Sequence, residues 1–153
     1  MKGTYTVILS WGGRPVVRIG KLGRFRLLEG CYLYTGSALG VGALSLQGRI
    51  ARHKRRSKTL RWHVDYLTSN KNCRFAGAFY VVSNRRLECK INRLISLRLH
   101  AVPTVPKFGS SDCNCPSHLL SPQESLEGGE LLEQLESLYA KFGSPSSFDG
   151  AGD

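Results

Sequence analysis

The segment Gly30-Cys31-Tyr32-Leu33-Tyr34-Thr35-Gly36-Ser37-Ala38-Leu39-Gly40 decides the fold, together with the helix predicted from Leu44 to Lys58. Its first half is apolar and aromatic, as in a buried strand, and its second half consists of small residues that suit a turn. The predicted helix and the residues just beyond it are strongly basic: Arg49, Arg52, His53, Lys54, Arg55, Arg56, Lys58 and Arg61. Backbone N–H groups, a helix N-terminus and cations around one point would suit phosphate.

Charge is divided unequally along the 153 residues, whose net charge is +11. Residues 1–120 hold 21 Lys and Arg and four acidic residues, a net +17, whereas residues 121–153 hold one Lys and seven acidic residues, a net −6. Clustered positive charge favours nucleic acid, because each phosphate contact displaces counterions. A generic basic surface and other polyanions, such as lipid headgroups, are the alternatives.

No apolar run approaches the roughly 20 residues that span a membrane, and the residues after Met1 lack a signal-peptide layout. We therefore expect a cytoplasmic protein without a membrane partner. Five cysteines, an odd number without an export signal, argue against a disulfide framework. Cys31 and Cys89 lie within apolar patterns and are predicted to be core residues.

The hydrophobic patterns predict an α/β fold, in which a small mixed, largely antiparallel sheet is flanked by helices at 44–58 and 87–99. Residues 1–120 would form one domain, residues 121–142 would contain an acidic amphipathic helix from Glu124 to Phe142, and residues 143–153 would be a disordered tail. The predicted strands cover residues 3–10, 15–20, 23–28, 31–36 and 75–83, a short helix covers 61–67, and a loop covers 103–118.

Within the basic helix, Leu46, Ile50 and His53 recur at helical spacing and predict a narrow buried stripe. Gly48 costs roughly 1 kcal/mol relative to Ala in a helix, so its presence indicates a close backbone approach. Arg49, Arg52, His53 and Arg56 line up along one side. A solvated basic face is the alternative, but it would need neither the histidine nor the glycine.

Gly3-Thr4-Tyr5 and Tyr34-Thr35-Gly36 have the form of the two signatures that name the GIY-YIG nuclease family, which the chain resembles over about residues 3–100. The likeness continues in Gly36-Ser37-Ala38 and in Arg49-Ile50-Ala51-Arg52-His53. It is nearest to an archaeal-type branch that is sometimes fused to endonuclease III-type repair enzymes. That branch shares the runs Trp62-His63-Val64-Asp65-Tyr66-Leu67 and Phe108-Gly109-Ser110-Ser111-Asp112-Cys113-Asn114-Cys115.

The two signatures are separated by 28 residues, a gap longer than is usual in the family. An extra hairpin at about Pro15 to Leu28 is therefore expected between the two signature strands.

The resemblance implies catalytic roles for two tyrosines, two histidines and one arginine. Tyr5 would take a proton from water, and Tyr34 would position the water or the phosphate. His53 and His63 would hold Tyr5 or relay the proton. Arg49 would bridge two phosphate oxygens with its planar fork. Arg49 and a metal together would lower the pKa of Tyr5 from its free value of about 10.

The resemblance also implies a metal ligand on the next long helix, for which Glu88 is the candidate, with Mg²⁺ or Mn²⁺ as the cation. An exposed residue favoured by the helix dipole is the alternative reading of Glu88. The further residues expected to contact nucleic acid are Ser37, Arg52, Lys54, Arg55, Arg56, Lys58 and Arg61.

The expected function is that of a metal-dependent endonuclease hydrolysing phosphodiester bonds in DNA, in repair or processing, with a repair enzyme as candidate partner. The alternative is a non-catalytic nucleic-acid-binding module that keeps the basic face. RNA is left open as the other substrate class. A third, weaker interpretation is an RNA- or ribosome-associated basic protein. The position of Glu88 relative to Tyr5 and Arg49 separates the nuclease from the binding module.

Cys113, Cys115 and His118 form a separate cluster in the sequence. They would supply three ligands, but tetrahedral zinc takes four, and its usual hairpin spacing is Cys-x₂-Cys. A turn with local hydrogen bonds from Asp112 and His118 is the favoured interpretation. No zinc site is predicted.

Overall fold

The computed structural model describes residues 1–123 and 128–149. Within them, a six-stranded sheet has the order β6-β7-β4-β1-β5-β8, and its described pairings are antiparallel. Its strands are β1 (Gly3–Trp11), β4 (Gly30–Ala38), β5 (Cys73–Val82), β6 (Ala101–Pro103), β7 (Leu119–Pro122) and β8 (Ser146–Asp149), while β2 (Val16–Arg18) and β3 (Arg24–Arg26) pair separately. The helices are α1 (Leu46–Lys54), α2 (Asp65–Thr68), α3 (Glu88–Arg98) and α4 (Gly128–Tyr139). The predicted α/β class with a largely antiparallel sheet is confirmed.

Strand β1 lies in the middle of the sheet and is buried on both faces. Because side chains alternate along a strand, Tyr5, Val7 and Leu9 belong to one core and Ile8 to another. The first core is covered by α1, α2 and the β2–β3 hairpin, and the second by α3 and α4. The two signature strands, β1 and β4, are direct neighbours, so their tyrosines share the first core.

The β2–β3 hairpin is the extra hairpin expected between the signature strands. It pairs with itself, and Val17, Ile19 and Leu27 bury its apolar side in the first core. An insertion of this kind leaves the pairing of β1 with β4 intact.

Helix α1 is shorter than the predicted 44–58 segment and begins after Ser45, whose hydroxyl accepts the N–H of Gly48 at 3.2 Å. Its buried residues are the predicted Leu46, Ile50 and His53. A Cβ on Gly48 would overlap the carbonyl oxygen of Gly42 and lie 2.6 Å from that of Ala43, so the predicted close approach is confirmed.

The C-terminal part of the chain is more closely integrated than the sequence indicated. Helix α4 buries Leu135, Leu138 and Tyr139 in the second core, and the Tyr139 hydroxyl lies 2.6 Å from Oγ1 of Thr6. It therefore belongs to the same folded unit as residues 1–120. The first predicted residues of this helix, 124–127, lie outside the described residues.

The prediction of a disordered tail over 143–153 is wrong for residues 146–149. They form β8 and pair with β5, where Ser146 faces Tyr80 in the register. An unpaired strand edge offers N–H and C=O groups to any extended segment, which explains the pairing despite the small, polar composition. Residues 150–153 lie outside the described residues.

No helix in the described part of the chain is long and apolar enough to cross a membrane.

Candidate active site

A cavity of about 270 Å³ opens beside the second signature strand. Strand β4, helix α1, the segment before α2, the start of α3 and the loop at 109–112 all contribute to its wall. The lining residues are Tyr34, Gly36, Ser37, Arg49, Arg61, Trp62, His63, Arg86, Glu88, Gly109, Ser111 and Asp112. The structure thus brings Tyr34, Arg49, His63 and Glu88, predicted from distant parts of the sequence, to one place.

Tyr5 lies behind the wall of this cavity. The β1–β4 register sets Tyr5 opposite Gly36, and a Cβ on Gly36 would lie 2.8 Å from the Tyr5 hydroxyl. That hydroxyl lies 2.7 Å from Nε2 of His53, and both side chains are buried. His53, and not His63, therefore holds Tyr5.

Burial controls the protonation of this pair. It raises the pKa of Tyr5 above its usual range and outweighs the opposing effect of the Arg49 guanidinium, so the predicted lowering of this pKa is wrong for the free protein. Burial, reinforced by the charge of Lys58, lowers the pKa of His53 to about 3. At neutral pH the pair is a phenol hydrogen-bonded to a neutral imidazole. Nδ1 of His53 is buried and has no hydrogen-bond partner among the described residues.

Tyr34 contributes an aromatic ring and Arg49 a guanidinium to the lining of the cavity. The Tyr34 ring lies 6.5 Å from that of Tyr5 and packs edge-on against His53 at 5.9 Å. The Arg49 guanidinium lies 4.6 Å from the centre of the Trp62 ring, a cation–π contact that restricts where it can point.

Glu88 begins α3 and lines the cavity that Arg49 also lines. Its side chain is 15% exposed, and its Oε1 lies 2.7 Å from Nη2 of Arg86, which also lies 3.3 Å from Oδ2 of Asp112. Its Oε2 is 3.9 Å from Nδ1 of His118. Glu88 thus lines the same cavity as Arg49 and Tyr34, and it is not a free residue on an exposed helix.

His63 contributes one nitrogen to the cavity. Its Nδ1 accepts the backbone N–H of Gly109 at 2.8 Å, and its ring packs against Phe108 at 5.6 Å. Burial lowers its pKa, which favours the neutral ring with the proton on Nε2. His63 can therefore donate from Nε2, while Nδ1 anchors the loop.

Several basic residues predicted to bind nucleic acid make internal contacts instead. Arg52 forms an ion pair with the buried Asp65 at 2.7 Å. Burial would raise the pKa of Asp65, but hydrogen bonds from Arg52 and from the N–H groups of Trp62 and Arg61 lower it. This pair holds the segment that carries Trp62 and His63.

Lys58 and Arg56 also serve the fold. Nζ of Lys58 donates to Thr68 Oγ1 at 2.6 Å and to the Arg52 carbonyl at 2.7 Å, and burial lowers its pKa to about 8. Arg56 donates to the Cys73 carbonyl at 2.9 Å. These contacts tie the segment after α1 to α2 and β5.

The remaining residues predicted to bind nucleic acid differ in exposure. Arg61 is exposed at the cavity, Arg55 is exposed elsewhere, and Lys54 is half-buried. Ser37 lines the cavity, and its buried hydroxyl has no hydrogen-bond partner in the described part of the chain.

Two backbone N–H groups at the start of α1, where the turn before it suggested a phosphate site, bind protein groups. The N–H of Leu46 bonds the Met1 carbonyl at 2.8 Å, and that of Gly48 bonds Ser45. These two N–H groups are therefore not free to bind an anion.

A second group of side chains lies beside Glu88. The ligand atoms of Cys89, Cys113, Cys115 and His118 all lie within 4.8 Å of one another, close enough to hold a metal ion. The prediction that Cys89 is a plain core residue is wrong, because its thiol is half-buried and lies in this cluster. Cys89 adds a fourth candidate ligand from α3, 24 positions before Cys113, to the three that the sequence places together.

Sequence reasoning assigned no role in the site to Trp62, Arg86, Gly109 and Asp112. Trp62, Gly109 and Asp112 lie in the two runs shared with the archaeal-type branch, and those runs were the available signal. Arg86 precedes α3 without any motif, and only its contacts with Glu88 and Asp112 identify it.

The family described as "Domain of unknown function DUF123" matches residues 4–142. Comparison with curated proteins and with solved structures found no match. The match extends from β1 to the residues just after α4, which agrees with the packing of α4 into the second core. The chain thus belongs to the DUF123 domain family.

Proposed function

We propose that this domain is a GIY-YIG-like endonuclease that hydrolyses phosphodiester bonds in DNA with the help of Mg²⁺ or Mn²⁺. The observation that carries the proposal is that Tyr34, Arg49 and Glu88 line one cavity, with the Tyr5–His53 pair directly behind Gly36. Phosphodiester hydrolysis needs a cationic group for the phosphate, a carboxylate and a proton acceptor, and these residue types meet here.

Arg49 is the phosphate-binding group of the proposal. Its planar guanidinium suits two phosphate oxygens, and the contact with Trp62 limits its orientations before substrate arrives. The buried Ser37 hydroxyl, which lines the same cavity, is a second donor toward an anion. Orientation fixed in advance favours the transition state, because little reorganisation is left for the reaction.

The residues around Glu88 fit a hard divalent cation. Glu88 and Asp112 offer carboxylate oxygens to one cavity, and Mg²⁺ commonly takes one or two protein carboxylates and keeps its waters. Arg86 bridges both carboxylates and would compete with a cation for them. When bound, such a cation supplies Lewis-acid stabilisation of phosphate charge.

The proton-accepting role falls to Tyr5 with His53. Tyr5 is a neutral phenol in the free protein, because burial raises its pKa, and Arg49 opposes that effect. If the Tyr5 oxygen takes a proton from water, its own proton would pass to Nε2 of His53, 2.7 Å away. Tyr34, on the cavity wall, is placed to orient water or phosphate, and Nε2 of His63 can donate to the substrate.

DNA is proposed from the +17 charge of residues 1–120, and RNA is the second substrate class to be tested. A repair enzyme as partner, and a role in DNA repair, are proposed from the resemblance alone.

A non-catalytic nucleic-acid-binding module is the second candidate function. Two contacts favour it: the Tyr5 hydroxyl is buried against His53, and Glu88 is already paired with Arg86. In such a module, Arg49 and Arg61 would bind phosphate without turnover.

Nicking of supercoiled plasmid and of branched DNA, with Mg²⁺ or Mn²⁺, separates the two functions. We expect nicking by the wild type with a divalent cation, and loss of both nicking and DNA affinity in Arg49→Ala. Arg98→Ala, at an exposed position on α3, is the matched control and should change neither. DNA binding without nicking under any of these conditions would establish the binding module, and parallel RNA substrates test the nucleic acid.

A further inference from the structure

We propose that Cys89, Cys113, Cys115 and His118 bind one Zn²⁺ as a structural site. The site joins the start of α3 to the loop before β7, independently of whether the neighbouring cavity is catalytic.

The geometry of the four ligand atoms fits zinc. Zn–S bonds of about 2.3 Å and Zn–N bonds of about 2.0–2.1 Å in a tetrahedron place the ligand atoms about 3.5–3.8 Å apart. Nε2 of His118 lies 3.4 Å from Sγ of Cys113 and 3.8 Å from Sγ of Cys89, and no pair in the cluster exceeds 4.8 Å. A small contraction around the ion completes the tetrahedron.

The histidine is held in the form that a metal requires. Nδ1 of His118 lies 3.0 Å from the carbonyl oxygen of Thr35, so it carries the proton and donates there, leaving the lone pair of Nε2 toward the thiols. The His118 side chain is fully buried, and the backbone N–H of His118 donates to the Phe108 carbonyl at 2.7 Å. These two contacts orient the ring before the ion binds.

The surrounding structure supports the site and leaves a path to it. Asn92, one turn along α3 from Cys89, donates to the Ser117 carbonyl at 2.8 Å and so ties the helix to the loop. A cavity of about 360 Å³ is lined by Cys89 and Cys115, which opens the cluster to solvent. Three thiols and one imidazole form a closed four-ligand set of the kind that structural zinc sites use.

The chemistry of the donors selects the metal. Soft thiolates with one imidazole suit zinc, whereas Mg²⁺ and Mn²⁺ prefer oxygen ligands. The cluster is therefore distinct from the carboxylates of the neighbouring cavity. The cluster is nevertheless adjacent to that cavity. Thr35, whose carbonyl accepts from His118, lies between the cavity residues Tyr34 and Gly36, and Cys89 directly follows Glu88.

The test is metal content and Co²⁺ spectroscopy of the full chain, neither of which depends on nuclease activity. We expect one Zn²⁺ per wild-type chain by mass spectrometry of the metal, and visible absorption of tetrahedral thiolate type on Co²⁺ substitution. Cys89→Ser and Cys115→Ser should lose both signals. Cys31→Ser, a half-buried thiol outside the cluster, should keep both.

His118→Cys keeps four ligands and should still bind Zn²⁺, which supports the site even where a serine variant fails to fold. Wild-type protein without zinc, a Cys89→Ser variant that binds zinc as the wild type does, or a disulfide among the three thiols by intact mass would overturn the proposal.

Discussion

Glu88 and Cys89 are consecutive residues at the start of α3, yet their side chains line two different cavities. Successive residues of a helix are rotated by about 100°, so one lines the cavity of Arg49 and Tyr34 and the other lies with Cys113 and His118. Any force that shifts this first turn moves both groups. The carboxylate and the thiol cluster therefore share one turn of α3, and they also approach each other directly, since Oε2 of Glu88 lies 3.9 Å from Nδ1 of His118.

Replacing Glu88 by Gln tests the carboxylate without changing the size of the side chain. Metal-dependent nicking should be lost, whereas DNA affinity should stay equal or rise, because a negative charge next to the bound phosphate is removed. Binding and nicking are measured on the same DNA, and the zinc content serves as the control for an intact first turn of α3. Nicking at the wild-type rate would exclude Glu88 as the metal ligand.

Tyr5→Phe removes one hydroxyl and leaves the ring in the core. If that hydroxyl accepts the proton, the turnover rate should fall by about 10²–10⁴-fold, with DNA affinity unchanged. Leaving His53 without its partner should also lower the free energy of unfolding by about 1–3 kcal/mol. Tyr80→Phe, at the position opposite Tyr5 on β5, is the matched control. Equal nicking by Tyr5→Phe and wild type would remove Tyr5 from the mechanism.

The stability of the fold should depend on pH through His53. Its folded-state pKa of about 3 lies below the unfolded value of about 6.5, so the unfolded chain takes up the proton first. The contribution of His53 is full above pH 6.5 and is lost as the pH falls toward 3, at about 1.4 kcal/mol per pH unit.

Urea unfolding between pH 4.5 and 7 measures this slope. His53→Gln should flatten it, while His100→Asn, at an exposed position, should not. An unchanged slope in His53→Gln would show that another group titrates.

Gly36 should not tolerate a methyl group. The Cβ of Gly36→Ala would lie 2.8 Å from the Tyr5 hydroxyl and 3.0 Å from its ring carbon, so the ring must move or β4 must bend. We expect a loss of about 1–3 kcal/mol in the free energy of unfolding, together with lower nicking. Gly12→Ala, whose nearest contact would be at 3.9 Å, is the control. Wild-type stability in Gly36→Ala would contradict the packing described.

Variants of Arg52 and Arg61 should distinguish a loss of folding stability from a loss of DNA affinity. Arg52→Gln removes one partner of a buried ion pair, which typically costs about 3–5 kcal/mol, and it should affect stability first. Arg61→Gln, exposed at the cavity, should weaken DNA binding and reduce its salt dependence, with little change in unfolding. Thermal unfolding and DNA titration of both variants measure the difference, and equal effects of the two would refute this assignment.

The sequence predicted the elements whose side chains follow a clear pattern. Strands β1, β4 and β5 were found as runs rich in apolar, aromatic and β-branched residues, whereas the buried stripe of α1 and the apolar face of α3 were found from the helical period that burial on one face imposes. Strands β6 and β7, of three and four residues, are too short to show such a pattern. Strand β8 is small and polar, and only the free edge of β5 makes it a strand.

For the site, residue types were predictable, but partners were not. His53 could be named from its row in α1, yet its hydrogen bond to Tyr5 depends on how α1 crosses the sheet. Arg52 and Lys58 were predicted to contact nucleic acid from their charge alone. Charge does not reveal that Arg52 pairs with Asp65, or that Lys58 donates to Thr68, within the protein. Cys89 looked apolar because the other three ligands of its cluster lie beyond β6.

Strand β1 is the first strand along the chain but lies at the centre of the sheet. Its neighbours are residues 30–38 and residues 73–82, so neither side of it can pair until distant parts of the chain have been made. Pairings of this kind require the closure of long loops before they gain any contact energy, which slows folding to milliseconds or longer in proteins rich in them. In a growing chain, β1 can pair with β4 first, but its other side stays unpaired until β5 has emerged from the ribosome.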